Sequence, residues 1–307
     1  MSRRRFALLL KTYSTDFEYA ARLVASFHRF NADGLHLFCV VPQLDLDKFK
    51  PLQAPTVTVL EESALEQYFT QEAVSGIRPG YINQEIVKLA FWELGLAANY
   101  LPVDSDAVFL RPFGVADFMH SADVPYTVLL EDRELQVDSD YFATHWQGRE
   151  KVLRHIQSEV GLNDARLLTC HGHQVLSSVV LRSLKQDFLE RRGWSYARML
   201  AEGPYEFSWY NFWLQKSKVI PIEVREPYFK VIHSAKQHTD MLLEGVSLED
   251  VARGYLGIIV NSNFAKVWND VHHETSRADA LSGYLSWSML VSIAGAKVRR
   301  VFCRRPV

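Results

Sequence analysis

The chain has 307 residues, 48% of them hydrophobic, and its 34 basic residues nearly balance 36 acidic ones to give a net charge of −2. Such a balance offers no broad positive field to hold a phosphate backbone, which argues against nucleic acid as a partner, while the length and apolar fraction suffice for one large core or two small ones. The three cysteines, Cys39, Cys170 and Cys303, are far apart and odd in number, so neither a disulfide framework nor a structural zinc site is expected, and a reducing compartment is.

Three arginines at positions 3 to 5 precede an apolar run over 6–10 that stops at Lys11. The run is too short for the hydrophobic stretch of a signal peptide and reads as a first buried strand. A polar loop over 11–16 then supplies capping residues for a helix over 17–30, which the residues at 31–34 (NADG) terminate. Strands are expected at 35–41, stopped by Pro42, and at the β-branched stretch 56–60. Over 84–94, residues Ile86, Val87, Leu89, Ala90, Phe91 and Leu94 fit a helix buried on most sides. Gln84 and Lys88 share one of its faces at i, i+4.

The helix feeds the segment 100–112 (YLPVDSDAVFLRP), where Asp104 and Asp106 interrupt an apolar strand. Carboxylates are costly there unless a cation or strong donors neutralise them, and a strand ending in Asp-x-Asp can aim two hard oxygens at one divalent ion holding a diphosphate. A parallel sheet binds its ligands beyond the carboxyl ends of its strands, where these two residues would fall. The tripeptide recurs at Asp138 and Asp140, but charged residues at 131–134 precede that copy. Solvated carboxylates or helix caps are the ordinary reading there.

Gln84-x-x-x-Lys88-Leu89 followed by a strand entering Val103-Asp104-Ser105-Asp106-x-x-Phe109-x-x-Pro112 resembles the GT-A glycosyltransferases. The match is closest to an uncharacterised bacterial group associated with surface polysaccharides, and it covers roughly residues 5–270. The resemblance implies an α/β fold of GT-A type, a Rossmann-like, mostly parallel central sheet flanked by helices. It implies a nucleotide-sugar donor, a UDP-sugar first, and a glycan or lipid-linked acceptor. The opening Lys11, Thr12, Tyr13 and Asp16 are similar to the loop that receives base and ribose. A divalent ion, Mn²⁺ or Mg²⁺, would be held by Asp104, Asp106 or both and would stabilise the charge on the departing diphosphate. Asp106 is the better direct ligand, with Asp104 meeting the ribose or a metal-bound water. Lys88 would approach the diphosphate.

The second half should supply the remaining groups. His233 follows the apolar run 229–232, the position from which such enzymes return a ligand to metal or diphosphate, and Lys236 is a further phosphate candidate. His173, flanked by Gly172 and an apolar run over 174–181, would shape the sugar pocket. A catalytic base is sought in Glu206 or in Asp132, just beyond the strand-like 126–130. Trp209 stands where the resembled group often carries an acid, and Trp209 and Tyr210 would stack on a sugar ring, unless their helical spacing makes them core.

Apolar residues at helical spacing over 281–302, with Lys297, Arg299, Arg300, Arg304 and Arg305 crowding the end, describe an amphipathic helix. The expected division is a catalytic domain over 1–275 and a basic C-terminal helix and tail over 276–307. The stretch 281–305 would touch anionic lipid, placing a cytoplasmic protein on the inner face of the membrane, or else pack on the domain. Two alternatives to a transferase stay open: a non-catalytic nucleotide-sugar or glycan binder on the same fold, and a metal-dependent nucleotidyltransferase.

Overall fold

A computed structural model describes residues 3–131, 133 and 139–261. Its strands are β1 (Arg4–Lys11), β2 (Leu37–Val41), β3 (Val57–Glu61), β4 (Ala97–Val103), β5 (Ala107–Phe109), β6 (Tyr126–Val128), β7 (Leu176–Ser177), β8 (Glu223–Arg225), β9 (Phe229–Ile232) and β10 (Gly257–Val260). The α-helices are α1 (Phe17–Phe30), α2 (Leu46–Phe49), α3 (Pro79–Ala90), α4 (Ser139–Glu159), α5 (Ser178–Ser183), α6 (Glu190–Arg192), α7 (Tyr196–Glu202), α8 (Glu206–Ser217), α9 (Ala235–Glu244) and α10 (Leu248–Gly254).

The main sheet has the order β3-β2-β1-β4-β7, parallel except for β7. Every residue of β2 and positions 6–10 of β1 are buried, as strands covered on both faces require. Burying each such Leu, Val or Phe contributes about 1.5–3 kcal/mol. Helix α1 turns Ala20, Leu23, Val24 and Phe27 inward at i, i+3, i+4 and i+7, and the Phe27 ring meets Phe109 and Phe113 at 6.5 and 6.0 Å. Because β1 is flanked by β2 on one side and β4 on the other, the chain leaves β1 toward one edge and later crosses back. The gap between β1 and β4 is therefore the point where strand order reverses, the place such sheets reserve for ligands.

After β4 the chain turns sharply over 104–106, closed by the Ala107 amide donating to the Asp104 carbonyl at 3.1 Å, and enters a second sheet of order β5-β10-β9. Gly257 lets β10 approach β5 and β9 closely, because a Cβ there would collide with the Val108 carbonyl oxygen and the Phe229 ring. A third pair, β6 with β8, is parallel.

The helix expected at 17–30 and the strands expected at 35–41, 56–60 and 229–232 are found within two residues of those bounds. The helix expected over 84–94 begins earlier, at Pro79, and ends as an α-helix at Ala90 before a tighter turn over Phe91–Leu94. Asp138, the expected C-terminal helix and the expected boundary after residue 275 lie outside the described residues. Asp140 is the second residue of α4. No described helix is long and apolar enough to cross a membrane.

Candidate functional site

A cavity of about 380 Å³ opens beyond the carboxyl ends of β1 and β4. The loop leaving β1 contributes Lys11, Tyr13 and Asp16, and the tight turn leaving β4 contributes Asp104, Ser105 and Asp106. Turn and loop touch where the Ser105 hydroxyl reaches Asp16 Oδ2 at 3.5 Å. Lys11 closes its own loop: its ammonium lies 2.6 Å from Glu62 Oε2 and donates to the Thr12 carbonyl.

The floor of the cavity is ionic and largely buried. Lys88, on the last turn of α3, places its ammonium 3.3 Å from Glu85 Oε2, 3.3 Å from Asp104 Oδ1 and 3.1 Å from Glu206 Oε1. The side chains of Glu85, Lys88 and Glu206 are 3%, 6% and 9% exposed, whereas Asp104 at 35% reaches toward the opening. Burial alone would discharge Lys88, but Asp104, Glu206 and Glu85 outweigh it and hold its ammonium protonated well above the usual range. For Asp104, burial is again overcome, by Lys88 and then His173, and the carboxyl is held far below its ordinary value. Glu206 is shifted down in the same way by Lys88 and a hydrogen bond with Glu85, and it sits at the first residue of α8, where the helix end favours a negative charge. Glu85 goes the other way, pushed well up by burial and by the charge of Glu206.

Imidazoles and a guanidinium form the next wall. His173 Nε2 lies 3.0 Å from Asp104 Oδ2 and 3.2 Å from the Asp104 amide nitrogen, donating to the carboxylate in one tautomer and accepting the amide in the other. The His171 ring is 4.7 Å from that of His233 and 5.0 Å from that of His145. Arg149, 3% exposed, extends from α4 into this wall, donates to the Cys170 carbonyl at 3.2 Å and lies over the Tyr205 ring at 4.4 Å. Burial and neighbouring positive groups, Arg149 among them, keep His171 and His233 neutral, with His233 pulled down to about 3.

The sequence model of a family of unknown function (DUF6492) matches residues 7–249, from β1 into α10, and so spans the whole of this cavity's described frame except its last strand. The chain belongs to that family. No curated protein matches it. Among solved structures, mouse xyloside xylosyltransferase 1 in its apo form is similar to this DUF6492 chain over 84% of this chain and 98% of the other, at 12% identity and a TM-score of 0.43.

This DUF6492 cavity gathers most of the residues singled out from the sequence: Lys11, Tyr13 and Asp16; Gln84 and Lys88; Asp104 and Asp106; His173, Glu206 and His233 all line it. Others are placed elsewhere. Thr12 points into the core beside β2, 3% exposed. Trp209 and Tyr210 are core residues with no ring face left for a sugar: Trp209 is 0% exposed and donates to the Gly203 carbonyl, and the Tyr210 hydroxyl accepts the Ser177 amide that holds β7. Lys236 lines a separate cavity of about 410 Å³ beside α9 and α10 and pairs with Asp240 at 3.0 Å, so it contributes nothing to the diphosphate position expected of it. Asp132 lies outside the described residues.

The residues expected to hold a metal, Asp104, Asp106 and His233, all line the cavity. No group of three or more His, Cys, Asp or Glu among the described residues is gathered to hold an ion. Asp104 has both carboxylate oxygens engaged by Lys88 and His173, which makes it a poor metal ligand here. Asp106 and a neutral His233 share the cavity and offer one oxygen and one nitrogen donor. Glu85 and Arg149 were not chosen from the sequence, and of the pair His171 and His173 only His173 was carried forward as a candidate. An acid amid the apolar run of α3, three residues before Lys88, was the available signal for Glu85; Arg149 sits in the charged sequence of α4 with nothing to mark it.

Proposed function

We propose that this chain is a glycosyltransferase that takes a nucleotide sugar, a UDP-sugar first, into the β1–β4 cavity and passes the sugar to a glycan or lipid-linked acceptor in the building of a surface polysaccharide. The observation that carries this reading is convergence. Segments as far apart as 11–16, 84–88, 104–106, 173, 206 and 233 meet in one polar cavity at the point where the strand order reverses. A cavity of this size, with hydroxyl-binding carboxylates at its floor and Arg149 and the histidines on its wall, suits a ligand that is polyhydroxylic at one end and anionic at the other. The sugar would rest over Glu206 and Asp104, and the diphosphate would face Arg149 and His233.

A divalent ion, when bound with the donor, would be held by Asp106 and His233 and would offset charge on the leaving diphosphate. In this reading Glu206 accepts hydrogen bonds from sugar hydroxyls. It is a poor base, because Lys88 and Glu85 hold its pKa down and an efficient base needs one near the working pH. That same locking of Glu206 favours one second reading, a binder of nucleotide sugars that transfers nothing. Hydrolysis of UDP-, GDP- and CMP-sugars in the presence of Mn²⁺ separates the two. Turnover by the wild type, reduced about a hundred-fold or more in Asp106→Ala, is the expected result; binding without turnover of any donor would support the binder.

A further inference from the structure

The floor of the cavity carries more negative groups than its one ammonium can neutralise. Glu85 from α3, Glu206 from α8 and Asp104 from the turn after β4 all lie within 3.3 Å of Lys88 Nζ. Asp104 has His173 as a second partner. Glu85 has none of that kind: Glu206 shares the same ammonium, the Tyr81 side chain lies one turn earlier on α3, and the buried Glu85 Oε2 makes no hydrogen bond. Two ionised carboxylates cannot hydrogen-bond to each other, since each only accepts. In a setting with both side chains more than nine-tenths buried, their repulsion would be large.

We infer that Glu85 is a carboxylic acid in the native protein at neutral pH, and that its proton, shared with Glu206, positions the Glu206 carboxylate and Lys88 on the cavity floor. The inference concerns the free protein and does not depend on the transferase reading. The geometry decides which partner keeps the proton. Glu206 has the helix end of α8 and the shorter contact to Lys88, whereas Glu85 is deeper, its side chain 3% exposed against 9%. With the proton on Glu85 the O–H donates to Glu206, Lys88 balances Glu206, and His173 remains for Asp104. The resulting floor carries one net negative charge from Glu206 and Asp104 against Lys88, rather than two, and is rich in fixed hydrogen-bonding groups. A polyhydroxylic ligand suits such a floor, and a phosphate would meet the Glu206 and Asp104 carboxylates.

The groups that face Glu85 set the sign of its pH dependence. These are Glu206 and Asp104, which favour the acid, and Lys88, which opposes it, with the neutral Tyr81 hydroxyl beside them. A carboxyl whose folded pKa is raised stabilises the fold fully below its unfolded value, near 4.5, and that contribution is lost as pH rises toward the folded value. Glu85→Gln keeps the shape and the donor and removes the titration. The experiment is a carbon-13 NMR titration of the full chain labelled at glutamate carboxyls, paired with urea unfolding from pH 5 to 9 on wild type, Glu85→Gln and Glu206→Gln. One glutamate signal should stay at the acid position at pH 7 in wild type and vanish in Glu85→Gln. The wild type should also lose stability relative to Glu85→Gln as pH rises, which a purely space-filling role of Glu85 would not produce. If every glutamate titrates in the ordinary range, or the acid signal survives in Glu85→Gln and vanishes in Glu206→Gln, the assignment is overturned.

Discussion

Lys88 is the residue on which the site's electrostatics turn. A buried ammonium and its carboxylates lose several kcal/mol each of solvation, which only close contacts among them offset. Such clusters in a cavity are where function tends to reside, although ion networks of purely architectural purpose shift pKa values too. The same contacts change the role first expected for Lys88. Its charge is already matched by Asp104 and Glu206, so it organises the floor more than it attracts phosphate. Removing the ammonium strands buried negative charge. Lys88→Met should cost about 3–5 kcal/mol in urea unfolding at pH 7, and adding Glu206→Gln should recover part of that loss. Additivity of the two changes would show that the pair does not interact.

Among the elements, those with a strong period or an uninterrupted apolar run were legible in the sequence. The one-sided stripe of α1 and the runs of β1 and β2 leave little choice of structure. The run over 174–181 was not, since short apolar stretches do not distinguish strand from helix. Here it divides into the two residues of β7 and then α5, whose start is capped by the Ser177 hydroxyl accepting the Val179 amide at 3.3 Å. Helix α8 hid its role for a different reason. It is buried almost all round from Glu206 to Phe212, so Trp209 and Tyr210 resemble exposed stacking rings in sequence and are core in structure. The second sheet depends on a single small residue. Gly257→Ala should force β10 from β5 and cost about 1–3 kcal/mol by overpacking, read as a lower thermal midpoint; an unchanged midpoint would mean the strands have room that their packing denies.

At the scale of the molecule, topology assembles the cavity. The reversal of strand order between β1 and β4 brings the two loops together, α3 and α8 close the floor, and the chain's later passage through His171, His173 and His233 completes the wall. The first half of that arrangement followed from sequence because loops after parallel strands have a known destination. Arg149 was hidden because a charged residue on a polar helix gives no sign of facing a cavity rather than water. We propose that this cavity receives a nucleoside diphosphate joined to a sugar. The most direct test is thermal unfolding of the full chain with UDP, GDP, CDP and CMP, each with and without Mn²⁺. One nucleotide should stabilise the protein by about 2.7 kcal/mol at about a hundred times its Kd, and more strongly with the metal. No shift with any of the four, in either condition, would contradict the claim.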